Sequence, residues 1–96
     1  MSFSSHVLNA ATGRPAAGVA VRLEHEGAVV GEGRTDADGR VSGWQPGAGV
    51  HRVVFTDLPF TFYPEVAITF VIDDPAGHYH IPLLLSPFAY STYRGS

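Results

Sequence analysis

The sequence contains no cysteine. Neither disulfides nor thiolate-bound metals can therefore support its core, and that usage fits a reducing, cytoplasmic setting. Basic residues are also scarce: six against nine acidic ones, for a net charge of −3. Phosphate backbones are held by clustered basic faces, so nucleic acid is not expected as a partner. No hydrophobic run follows a basic amino-terminal start, and none is long enough to cross a bilayer. Neither a secretory leader nor membrane association is expected. Helical periodicity is nearly missing. A Gly-rich phosphate loop, a G-x-S-x-G nucleophile turn, internal repeats and low-complexity linkers are missing too. What remains is one domain, residues 1–96, large enough to bury a single modest core.

What the chain does have is punctuation. Eleven glycines and seven prolines divide it, and the runs between them alternate with period two. Val19, Val21 and Leu23 face one way, with Ala20, Arg22 and Glu24 opposite. Val66, Ile68, Phe70 and Ile72 form a longer inward set, with Ala67, Thr69 and Val71 outward. The pattern predicts strands near 3–9, 19–25, 28–34, 41–44, 51–55, 66–72, 78–85 and 89–94. TDADGR is a tight-turn signal: Asp36 and Asp38 can bond back to the backbone, and Gly39 accepts positive φ. No glutamate follows at the distance a calcium loop requires. Short strands at this spacing point to an all-β, two-sheet antiparallel sandwich of about eight strands.

Two strands do not fit a plain sandwich, because each is apolar on both faces. Near the amino terminus Ser4, His6 and Leu8 share one face, and Phe3, Ser5 and Val7 the other. From residue 78 on, Tyr79, Ile81 and Leu83 oppose His78, His80, Pro82 and Leu84. A sandwich sheet needs one apolar face, so the second is expected to be covered by another subunit. The histidines on that second face admit two chemistries. His-x-His on a strand puts two imidazoles on one side, and a third could complete an open zinc site. Alternatively they do metal-free acid–base work, for which an imidazole titrating near 6.5 is suited. Trp44, Phe60, Phe62 and Tyr63 read as core or interface, with no spacing for a base-stacking platform.

Three blocks carry a resemblance: SSHVLNAATGRPAAGVAVRLE, RTDADGRV and HYHIPLLLSPFAYSTYRGS, together over half of the chain. They resemble the transthyretin-related family, and within it the 5-hydroxyisourate hydrolases of urate degradation. The ending YRGS is the most specific of the matches; the turn block is specific for the fold alone. The resemblance implies a transthyretin-like sandwich assembled into a homotetramer, a dimer of dimers, with active sites where dimers face each other. It implies a cofactor-free, metal-free reaction that opens the ring of 5-hydroxyisourate to 2-oxo-4-hydroxy-4-carboxy-5-ureidoimidazoline. Its active site falls on His6, Arg40, His80 and the terminal Tyr93, Arg94, Gly95 and Ser96; His78 matches no catalytic position.

In that scheme His6 and His80 share water activation and proton transfer, with either as the base. Arg40 binds and polarises the substrate, and Ser96 orients a histidine or the water through its hydroxyl or carboxylate. Tyr93, Arg94 and Gly95 wall the pocket, Gly95 by permitting a turn that a β-carbon would resist. The chain departs from the family in its connections: VVFTDLPFTFYPEV is too short, and too rich in proline, for the family's short helix between its fifth and sixth strands, and the loops near 25–28 and 44–50 are trimmed as well. The rival expectations are a transthyretin-like small-ligand carrier, a zinc hydrolase and an inert sandwich module. The carrier would need a wide apolar channel, which Tyr93 and paired histidines would narrow.

Overall fold

A computed structural model describes residues 2–96. Its elements are all strands: β1 (Ser2–Asn9), β2 (Arg14–Pro15), β3 (Ala20–His25), β4 (Ala28–Arg34), β5 (Arg40–Trp44), β6 (Gly49–Thr56), β7 (Glu65–Ile72), β8 (His78–His80), β9 (Leu83–Ser86) and β10 (Ala89–Thr92). One sheet has the order β4-β3-β6-β7 and is antiparallel throughout. The other has six strands gathered around β1. On one side β1 pairs antiparallel with β5 and then β2. On the other it pairs parallel with β8 and then β9, and β10 lies antiparallel outside β9.

The inward faces follow the alternation of the sequence. Phe3, Val7, Val19, Val21, Leu23, Val53, Phe55, Val66, Ile72, Leu83 and Leu85 are buried between the sheets, with Ile68 and Phe70 packed against them. Each such side chain contributes roughly 1.5–3 kcal/mol by leaving water. Trp44 closes one end by stacking on Phe3, with ring centroids 5.7 Å apart. Gly31 makes room for it, since a β-carbon there would stand 2.8 Å from the indole.

Three details differ from the sequence reading. The run expected as one strand over 78–85 is two, because Ile81 still donates to the Ser4 carbonyl (3.0 Å) but Pro82 has no N–H to continue the ladder. The short β2 has too few residues to alternate. And β1 runs parallel to β8 and β9, a direction that period-two patterning does not encode. The first two account for ten strands where about eight were expected, within the same two-sheet sandwich.

The expected absence of the short helix holds. Among the described residues there is no helix, and 57–64 is an irregular loop containing Pro59 and Pro64. Asp57 opens that loop with φ of 56°. The loop then folds back on the β9–β10 turn. The Tyr63 hydroxyl donates to the Phe88 carbonyl (3.2 Å), and Phe62 meets Phe88 edge-on at 5.4 Å. Phe60 packs against the core, whereas Phe62 stays exposed.

Candidate active site

The outward face of β1 presents Ser2, Ser4, His6 and Leu8, and strand register decides what each meets. His6 is paired with Arg40 on β5. Arg40 reaches that position through the turn before it. Asp36 Oδ1 accepts from the backbone N–H of Asp38 and of Arg40, both at 2.9 Å. Gly39 sits at φ 77°, where a β-carbon would come within 2.5 Å of the Val7 carbonyl. The tight-turn reading of TDADGR therefore holds, and its product is an arginine set beside a histidine.

On the other side of β1, Ser2 is paired with His78 and Ser4 with His80. The Ser4 hydroxyl lies 2.8 Å from His80 Nδ1 and 3.3 Å from His78 Nε2, and the Ser2 hydroxyl lies 2.5 Å from His78 Nδ1. The two imidazole planes are within 10° of parallel, with centroids 6.4 Å apart. His80 is half-buried and His78 exposed. Burial, then the positive charge of Arg40 and the neighbouring His78 and His6, push His80 below the ordinary imidazole range. It is thereby kept in the neutral form that can accept a proton.

The terminal residues divide between two faces. Gly95 forms an antiparallel bridge with His80, its N–H donating to the His80 carbonyl at 2.8 Å. A β-carbon on Gly95 would lie 2.5 Å from His80 Cδ2. Glycine is needed here for close approach to the imidazole rather than for the turn expected from sequence, since its φ is not among the positive ones. Arg94 turns the other way and lays its guanidinium over the Tyr79 ring at 4.5 Å. The Tyr79 hydroxyl donates to Asp73 (2.6 Å), and that hydrogen bond is the leading cause holding Asp73 below the usual carboxylate range.

Tyr93 and Ser96 are exposed. Among the described residues neither hydrogen-bonds a histidine. So the sheet brings His6, Arg40, His80 and Gly95 together, sends Arg94 to Tyr79, and leaves Tyr93 and Ser96 exposed. No three His, Cys, Asp or Glu side chains converge in a way that could hold a metal ion, among the described residues. The sequence reading assigned nothing to Ser4. Its place beside His80 depends on register, but its position two residues before His6 on the same face was legible.

The chain is similar to known proteins over nearly its whole length. The model of the HIUase/Transthyretin family matches residues 3–95. A 5-hydroxyisourate hydrolase of Salmonella dublin is 41% identical over 108 positions, covering 97% of this chain and 79% of the relative. One of Caulobacter vibrioides is 40% identical over 111, covering 97% and 96%. Both alignments are longer than the chain, in keeping with its shortened loops. Among solved structures, Klebsiella pneumoniae 5-hydroxyisourate hydrolase superposes with a TM-score of 0.86 at 34% identity, over 99% of this chain and 93% of that one. Sea bream transthyretin in complex with thyroxine gives 0.81 at 31%, over 97% and 93%. The fold alone therefore does not separate a hydrolase from a carrier; the polar face just described is where the two can differ.

Proposed function

This chain belongs to the HIUase/Transthyretin family, and from that membership we propose that it is a hydrolase of purine degradation acting on 5-hydroxyisourate. The observation that carries the reading is the single sheet face on which Arg40, His6 and His80 meet. Opening a cyclic acyl bond with water needs a base for the water proton and donors for the developing oxyanion. A histidine kept neutral by burial supplies the first. Arg40, with its planar fork of donors, supplies the second and binds the flat, electron-rich ring. His6, paired with Arg40, serves proton transfer beside them. Gly95 holds the chain end close to the His80 ring, Arg94 fixes that end by stacking on Tyr79, and Tyr93 walls the site while Ser96 orients water or a histidine once a neighbouring subunit closes it.

That last step needs assembly. Leu8 and Leu84 are register partners on the same outward face and stay half-buried in the single chain. We assign this face to the contact of a homotetramer, with the whole of 1–96 as one catalytic domain. No helix among the described residues is long and apolar enough to cross a membrane. The cysteine-free composition fits the cytoplasmic location we assign to the enzyme. The decisive experiment follows the ultraviolet decay of freshly made 5-hydroxyisourate with and without protein, and with and without chelator. Accelerated decay that survives chelator is expected. Unchanged decay would favour a binding protein, and loss in chelator a metal enzyme.

A further inference from the structure

Building on that hydrolase reading, we propose that Ser4 and His78 form a proton relay serving His80, with His78 as its outer terminus. The chain of contacts is continuous: Ser2 Oγ to His78 Nδ1, His78 Nε2 to Ser4 Oγ, Ser4 Oγ to His80 Nδ1, at 2.5, 3.3 and 2.8 Å. It exists because two strands with outward residues two apart lie in register, Ser2 opposite His78 and Ser4 opposite His80. His80 Nε2 has no hydrogen-bond partner among the described residues and is left for substrate or water.

A hydroxyl carries one proton and two lone pairs, so Ser4 must donate to one imidazole and accept from the other. In the state ready for catalysis His80 Nδ1–H donates to Ser4 Oγ, Ser4 O–H donates to His78 Nε2, and His78 Nδ1–H donates to Ser2. When the attacking water gives its proton to His80 Nε2, the Nδ1 proton passes to Ser4 as the Ser4 proton passes to His78 Nε2. His80 is then neutral with its proton on Nε2, and His78 is an imidazolium. As the ring opens, the Nε2 proton goes to the leaving nitrogen and the chain runs backwards, restoring both histidines. One water is consumed, no electron is gained or lost, and no co-reactant is needed.

The direction of transfer follows from the surroundings. His80 is half-buried, with Arg40 on β5, His6 on β1 and His78 on its own strand as the cationic or titratable groups that act on it. Arg94 and Asp73 are engaged with Tyr79. A positive charge is therefore disfavoured on His80, and the relay carries it to an exposed ring in water. Ser4 and His78 are thus positioning and transfer residues that act through His80.

The test compares kcat and KM of wild type, Ser4→Ala, Ser4→Thr and His78→Ala on 5-hydroxyisourate in buffers with and without imidazole. Ser4→Ala and His78→Ala are each expected to lower kcat about tenfold with KM little changed, a small share of a general acid–base contribution. Added imidazole should restore His78→Ala but not Ser4→Ala, and Ser4→Thr, which keeps the hydroxyl, should turn over like wild type. His78 is exposed, so its loss leaves the fold intact. Variants within twofold of an active wild type would overturn the relay, as would a His78→Ala defect insensitive to imidazole. An inactive wild type would instead overturn the hydrolase reading on which the relay rests.

Discussion

The molecule contains two histidine pairs built by the same device, cross-strand register, and they come out as different chemistry. His25 and His51 are register partners on β3 and β6, stacked with centroids 4.4 Å apart. His51 is 1% exposed and lies beside Phe70. The Nδ1–H of His25 donates to the Val50 carbonyl (2.8 Å) and that of His51 to the Gly49 carbonyl (2.9 Å). A carbonyl can only accept, so each proton is fixed where it is. His78 and His80 end instead on serine hydroxyls, which donate or accept equally well. His51 is tied down by the backbone and belongs to packing, and His25 is held between the backbone and the Glu26 carboxylate, 2.9 Å from its Nε2; the other pair ends on hydroxyls that can pass a proton on.

The largest effects should separate the pairs outright. His80→Ala and His6→Ala are each expected to lower kcat by about 10²–10⁴ in the 5-hydroxyisourate decay assay. His51→Ala should leave kcat of the folded protein near wild type. It opens a cavity in the core, so it should cost about 2–5 kcal/mol of stability, read from the urea midpoint. A His51 variant that folds normally but is as slow as His80→Ala would erase the distinction. Next comes Gly95→Ala. Its β-carbon would need to occupy space 2.5 Å from His80 Cδ2, so the ring must move, and misplacement of about 1 Å can cost 10²-fold. The unfolding midpoint should barely shift, because Gly95 lies beyond the last strand.

The assembly offers a coarser test. Leu84→Arg should put an unpaired charge into the proposed subunit contact and yield dimers or monomers by light scattering. It should slow turnover only through loss of neighbours. A wild type that is already monomeric would remove the support for a site closed by a second subunit.

How legible these features were in the sequence depends on what alternation encodes. It gives the face on which a side chain lies. The inward sets of β3 and β7, the two-faced character of β1, and the placement of His6 and His80 on one outward face were therefore all readable. His25 and His51 are readable in the same way, in phase with Leu23 and with Val53. Alternation does not give the partner across the ladder. Nothing local says that His6 meets Arg40, that Ser4 meets His80, or that β1 and β8 run parallel; those follow from register, which the whole fold settles. The roles of the terminal residues come through the family resemblance, and the reason it suggests for Gly95, a turn, is not the one the structure gives. The structural reason is the closeness of His80, which only the bridge between them makes visible.

The smallest expected effect sharpens the comparison most. His80 is held below the ordinary imidazole value of about 6.5, by burial first and by Arg40 next. Between that lowered value and about 6.5 the folded chain binds fewer protons at this site than the unfolded chain. The contribution of His80 to stability is thus present above about 6.5 and is lost as pH falls through the lowered value. Activity should follow, since a protonated His80 cannot take a proton from water: the acid limb of kcat/KM should lie below about 6.5. Arg40→Gln removes a charge that opposes protonation, so it should move the limb, and the His80 NMR titration, to higher pH. In a half-solvated site that interaction is of order 1 kcal/mol, so the shift should stay below about one unit. A His80 curve indifferent to Arg40→Gln would mean that the arginine does not hold the imidazole neutral, and that burial alone does.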